Sequence, residues 1–158
     1  MTKRLVLVGC GSDKENKKTY SWRLYKSDYF QKRMTLAMLM GQPAILSAKH
    51  GFLRATERIE EYDEDMREKE GYEIQSWALS VANEIPNFYD EIVILAGDKY
   101  RNPLQTILKE DGYSIYSPFE SDDIRGIGDQ ISWCKETAER IENDENPKDL
   151  LKSADNWK

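Results

Sequence analysis

Short runs of strand-forming residues alternate along this chain with stretches whose apolar residues recur every three or four positions, and that alternation constrains the fold more than any other feature. The runs are Arg4-Leu5-Val6-Leu7-Val8, Ala44-Ile45-Leu46-Ser47 and Glu91-Ile92-Val93-Ile94-Leu95. A fourth, Tyr113-Ser114-Ile115-Tyr116, follows the turn residue Gly112. The first and third runs are apolar at successive positions, as expected of strands buried on both faces. Strands separated by helices imply a parallel sheet with right-handed crossovers and helices on both of its faces.

The helical stretches have readable ends. Ser27-Asp28 can cap a helix with Phe30, Met34, Ala37 and Met38 on one stripe, stopped by Gly41. Ile74, Trp77, Ala78, Val81, Ala82 and Ile85 form the clearest stripe, interrupted by Pro86. Asp98 can cap a helix carrying Tyr100, Leu104, Ile107 and Leu108, and a last helix places Ile127, Ile131, Cys134, Ala138 and Ile141 on one face. Between His50 and about Met66 the chain reads as a long acidic loop. Residues 1–141 are expected to form a single α/β domain, and residues 142–158 a polar C-terminal tail.

A chain of 158 residues is long enough for one core. It contains no apolar run approaching the roughly 20 residues that cross a bilayer, so no membrane is expected, and the place of action is expected to be the cytoplasm. Cys10 and Cys134 lack disulfide-framework spacing and are expected to be reduced thiols. The net charge of −6 is unevenly spread: residues 1–58 hold twelve Lys or Arg against four Asp or Glu, and residues 59–158 hold eleven against twenty-five. A basic face built from Lys14, Lys17, Lys18, Arg23, Lys26, Lys32 and Arg33 is therefore compatible with an acidic protein. The alternative is that the two halves intermix and their fields cancel.

In open α/β sheets ligands bind beyond the carboxyl ends of the strands, where the strand order reverses. Three strand ends here finish in small or polar clusters: Gly9-Cys10-Gly11-Ser12, Ser47-Ala48-Lys49-His50-Gly51 and Ala96-Gly97-Asp98. The first lacks the third glycine of a dinucleotide fingerprint, and Lys18-Thr19 lacks the glycine of a phosphate loop. What remains is a backbone that a ligand can approach closely, with Ser12 and Lys14 as donors to a phosphate or carbonyl oxygen. Cys10 becomes a candidate nucleophile if Lys14 and Lys49 lower its pKa, against the reading of a small buried filler. One histidine and two distant cysteines make no zinc ligand set, so no metal is expected and no cofactor motif is present. His50, the sole histidine, lies between Lys49 and Gly51 rather than on an apolar stripe. A neutral imidazole there suits a base carbonyl, and Lys49 suits a phosphate or a departing anionic base. The run Glu60-Glu61-Tyr62-Asp63-Glu64-Asp65 supplies carboxylates to orient a water or support a cationic sugar, although most of it is solvated surface.

Several segments together resemble a family of small domains of unassigned function in bacteria, archaea and phages. They are Cys10 and Lys14, Leu24-Tyr25-Lys26-Ser27, Ser47-Ala48-Lys49-His50-Gly51, Tyr62-Asp63, Leu95-Ala96-Gly97 and Gly126-Ile127-Gly128, spanning about Leu5 to Ile141. That family is distantly similar to the uracil-DNA-glycosylase-like superfamily and to the core of archaeosine synthases, where a Cys, Lys and Tyr-x-Ser pattern also follows the first strand. The resemblance implies a three-layer α/β/α sandwich with a four-stranded parallel sheet of order 2-1-3-4, and it singles out Asp63 within the acidic run. No Asp-Pro-Tyr motif after the first strand and no His-Pro-Ser segment is present, so the catalytic details of uracil-DNA glycosylases do not carry over.

The reading that follows is hydrolysis of the N-glycosidic bond of a modified base in DNA, with a role in anti-phage defence. Lys14, Lys26 and Lys49 would lie near phosphates, the extruded base would stack on Tyr25, His50 would polarise the base, and Asp63 would support water attack. Ser12, Ser27, Ser47 and Asp98 complete the expected substrate contacts. One alternative is a transferase or amide-forming enzyme modifying a 7-deazaguanine base through Cys10. Another is a nucleic-acid binder without chemistry.

Overall fold

The computed structural model describes residues 3–9, 19–20, 28–55, 58–59 and 69–153. Strands β1 (Arg4–Gly9), β3 (Gln42–Ser47), β4 (Gly51–Arg54), β6 (Glu91–Leu95) and β7 (Ser114–Tyr116) form one sheet in the order β4-β3-β1-β6-β7. A separate antiparallel pair joins β2 (Thr19–Tyr20) to β5 (Arg58–Ile59). The helices are α1 (Asp28–Met40), α2 (Gly71–Glu84), α3 (Asp98–Glu110), α4 (Gly126–Glu142) and α5 (Pro147–Ser153), with a 3₁₀ turn at Pro118–Glu120.

Alternation of side chains along the strands divides the core into two layers. Val6 and Val8 of β1, with Val93 and Leu95 of β6, face Phe30, Met34 and Ala37 of α1 and Cys134 and Ala138 of α4. Leu5 and Leu7, with Ile92 and Ile94, face Trp77, Ala78 and Val81 of α2 and Leu104 and Leu108 of α3. Both faces are buried, which is why Leu5 to Val8 and Ile92 to Leu95 are apolar at every step.

The expected four-stranded parallel sheet is corrected to a five-stranded mixed one. Four strands run parallel, with β1 between β3 and β6 and β7 beyond β6. The fifth, β4, is antiparallel to β3 and lies within the stretch read as an acidic loop. Its four residues are too few for a periodic signal, and it exists because Gly51, at φ 73°, turns the chain back so that Gly51 pairs with Ser47 and Leu53 with Ile45.

Helix ends and stripes need three further corrections. Asp98 does not cap α3: Gly97 occupies the N-cap position and Asp98 is the exposed first helical residue. Met38 is 51% exposed, and Arg33 takes its place on the buried face of α1, three residues from Phe30 and four from Ala37. Ile127, in the first turn of α4, is likewise exposed. Helix α2 needs no such change; a reciprocal capping box between Glu70 and Glu73 starts it.

Part of the expected polar tail is packed. Helix α5 buries Leu150 and Leu151, the latter within the core beneath α1 and α4. Lys148 Nζ reaches Glu91 Oε1 at 3.0 Å, while Arg4 Nε donates to Glu91 Oε2 at 3.0 Å. Two leucines among polar neighbours carry too little periodicity to show in the sequence. Among the described residues, no helix is long and apolar enough to cross a membrane.

Candidate functional site

The strand order reverses between β1 and β6, so the crevice beyond their carboxyl ends is where a ligand site is expected. Position 9 is closely surrounded there. A Cβ on Gly9 would lie 3.0 Å from Ala96 Cβ and 3.1 Å from Arg33 Nη1, closer than ordinary packing allows.

Two arginines stand against the carboxyl end of β6. Arg33 is 2% exposed; its Nη1 donates to Leu95 O at 3.0 Å, its Nε to Tyr29 O at 3.3 Å, and its guanidinium stacks 3.8 Å from the centre of the Tyr29 ring. Arg101, 9% exposed, comes from the opposite layer and donates from Nη1 to the next carbonyl, Ala96 O, at 3.0 Å. Its Nε lies 3.6 Å from Glu120 Oε1. Glu120 is held in turn by Gln105 Nε2 at 2.5 Å, and the buried Ser117 hydroxyl donates to Gln105 Oε1 at 2.8 Å. The Tyr29 phenol donates to Gln130 Oε1, linking α1 to α4. Burial raises the Tyr29 pKa, while the positive charges of Arg33 and Arg101 act to lower it, so both guanidiniums bear on one phenol.

The second wall is the β3–β4 turn, Ala48-Lys49-His50. Ser47, completely buried, uses its Oγ to accept the amides of Lys49 at 3.3 Å and His50 at 3.0 Å. Ser47 therefore shapes the loop that carries the other two. Lys49 is exposed and His50 half-buried. Trp77 Nε1 donates to Ser47 O at 2.7 Å, and its ring meets Tyr100 edge-on, with centroids 5.4 Å apart. Tyr100 precedes Arg101 in the first turn of α3, so the aromatic pair connects the histidine turn to the arginine pair.

Of the residues expected from sequence, Ser47, Lys49, His50 and Asp98 stand at the carboxyl ends of β3 and β6. Cys10, Ser12, Lys14, Tyr25, Lys26, Ser27 and Asp63 lie outside the described residues, as do Lys17, Lys18 and Arg23. Of the expected basic face, Arg33 must be withdrawn, because its charge is spent inside the domain; Lys32 beside it is partly exposed. Sequence reasoning placed Arg33 on the surface and missed Arg101, Tyr29 and Gln105. A signal was available, since Arg101 precedes Leu104 by three residues and Leu108 by seven, placing a cation on an apolar stripe.

Cys134 is a second thiol, and burial pushes its pKa up to about 12, although Arg33 acts in the opposite direction. It is a packed thiol without nucleophilic character. In the native protein Cys134 is expected to resist iodoacetamide at pH 8 for hours and to react promptly once urea unfolds the chain, as followed by mass spectrometry. Rapid native-state labelling at that position would show that α4 opens readily. Because the raised pKa favours the folded thiol, its contribution to stability is complete below the unfolded value, about 8.5, and is lost as pH rises toward 12. Among the described residues no group of three or more His, Cys, Asp or Glu side chains stands close enough to hold a metal.

Residues 5–136 match the model of a family whose function is itself unknown. No curated protein matches the chain.

Proposed function

The chain belongs to that family, the family of unknown function DUF6884, and for this member we propose hydrolysis of the N-glycosidic bond of a modified base in DNA. The observation that supports the reading is that the Lys49-His50 turn follows the carboxyl end of β3 while a pair of arginines donates to successive carbonyls at the β6 end, on the same side of the parallel sheet. Breaking a glycosidic bond leaves negative charge on the base and positive charge on the sugar, and a site partly closed to water strengthens every interaction with those charges. A half-buried imidazole beside a lysine suits the base end. The buried guanidiniums of Arg33 and Arg101 hold the end of β6 in shape. In this proposal Asp63 supports water attack, Tyr25 stacks on the extruded base, and Lys14 and Lys26 hold the backbone.

Further support comes from the sheet: its four parallel strands follow the order second, first, third, fourth, which agrees with the sandwich implied by the resemblance to uracil-DNA-glycosylase-like proteins. Fold likeness alone does not assign chemistry, so the test is chemical. Incubated with DNA from phages of differing base chemistry, the protein is expected to release a free modified base and leave alkali-labile sites. An altered base retained in the polymer would instead support the transferase. Retardation of DNA on a gel with no change in its bases would establish a binder.

A further inference from the structure

We propose that the cavity between residues 121–124 and α4 is a docking site for a basic segment of a partner protein, one arginine of which lies against the Trp133 indole within a rim of three carboxylates. The inference goes beyond the glycosylase reading and does not rest on it.

Asp129, Trp133 and Glu136 recur at i, i+4 and i+7 along α4 and therefore share one stripe of that helix. Facing them, Asp123 and Ile124 follow the 3₁₀ turn, and the two walls line a cavity of about 300 Å³. That volume is at the low end for ligand pockets and suits one long side chain better than a cofactor. Ile124 is buried, and Trp133 packs one part of its ring against the core, where Phe119 meets it edge-on with centroids 6.1 Å apart. The ring is thereby held in place while its remaining surface lines the cavity.

Charge decides what the cavity takes. Asp123, Asp129 and Glu136 are all exposed. Asp129 Oδ2 accepts the Arg125 amide at 2.9 Å, and among the described residues none of the three carboxylates is in an ion pair. The neighbouring cations are engaged elsewhere: Arg125 Nε donates to Asp122 O at 2.8 Å, and Arg140, one turn beyond Glu136, is held by Glu145. Residues 118–145 as a whole hold nine Asp or Glu against three Lys or Arg. Such a field repels phosphate and steers a cationic segment toward the surface. An aromatic face flanked by carboxylates favours a guanidinium, which stacks on the ring while its forked N–H donors reach the carboxylates; an ammonium brings only a point charge.

The experiment titrates the full chain, labelled with ¹⁵N, with the blocked pentapeptide Gly-Arg-Gly-Arg-Gly and follows the indole N–H resonance of Trp133, assigned through Trp133→Phe. A saturable shift of that resonance is expected, and the peptide with lysine in place of arginine should bind more weakly. The pair Asp123→Asn and Glu136→Gln, which neutralises exposed groups, is expected to weaken arginine-peptide binding about tenfold. Trp133→Leu, followed by calorimetry, is expected to weaken it about threefold or more, and should that variant fold poorly the carboxylate pair carries the test. Glu110→Gln with Asp111→Asn removes the same charge at the far end of α3 and should leave binding unchanged. An equal loss in the two charge-neutralised proteins would mean that only net charge matters and would overturn the site, as would the absence of a saturable Trp133 shift. Self-association of the wild type, seen by sedimentation and lost in Asp123→Asn with Glu136→Gln, would give the surface to a second copy of this chain and overturn the partner.

Discussion

Replacing His50 by alanine is expected to slow base release by about 10²- to 10⁴-fold, the range for losing a positioned acid–base or oxyanion group. The size of the effect follows from where the side chain is held. The His50 amide is fixed by Ser47 Oγ, Ser47 is completely buried, and Gly51 reverses the chain immediately afterward, so His50 belongs to a short, hydrogen-bonded turn. Binding of substrate DNA should change far less, because the interaction strengthens only as charge develops on the departing base. Lys49→Ala is expected to weaken both binding and turnover, since an exposed ammonium attracts phosphate before the reaction as well as during it. Single-turnover release of base, measured beside DNA affinity, separates the two. Full activity in His50→Ala accompanied by a melting temperature several degrees lower would assign the imidazole a structural role and move the chemistry toward the end of β6.

The largest expected loss of stability comes from Trp77→Ala, at about 3–5 kcal/mol, as for other buried aromatic truncations. Trp77 is 7% exposed and fills the layer between α2 and the sheet. It also donates to Ser47 O and rests against Tyr100, so its removal loosens both the histidine turn and the start of α3. A fall in Tm on the order of 10 °C is expected for a chain of this size. Trp77→Phe keeps most of the apolar area while deleting the indole donor, and should cost about 1 kcal/mol. Urea denaturation of the two variants checks the division. A change of Tm below about 2 °C in Trp77→Ala would show that the turn is anchored elsewhere.

The sequence made the parallel framework legible because burial on both sheet faces forces apolar residues at successive steps from Leu5 to Val8 and from Ile92 to Leu95, a pattern visible without any neighbour. Strand β4 was hidden for the opposite reason. It has four residues, pairs through its backbone, and alternates only weakly. Helix α5 was hidden because two leucines suffice once Glu91 provides a carboxylate for Lys148. At the candidate site, strand ends could be recognised from their small residues, but Arg33 and Arg101 looked like ordinary helix-surface cations. Arg33 donates to the carbonyl of Leu95, 62 residues away, which sequence distance conceals; Arg101 reaches Ala96 O only five residues back, beyond the strand end. The carboxylates of residues 60–65 and the cationic loop after β1 lie outside the described residues.

The position of β1 has a consequence for vectorial synthesis. Strand β1 is made before its sheet partners and lies innermost among them, yet one of the two strands it pairs with, β6, is made 87 residues later, as in the Arg4–Glu91 contact. Until then β1 has only β3 to pair with, and its other edge presents unpaired amides and carbonyls beside two apolar faces. Loop closure over such a span comes late and slows folding. During elongation the nascent chain is therefore at its most adhesive between completion of β3 and emergence of β6, the interval in which a holdase would bind it most tightly.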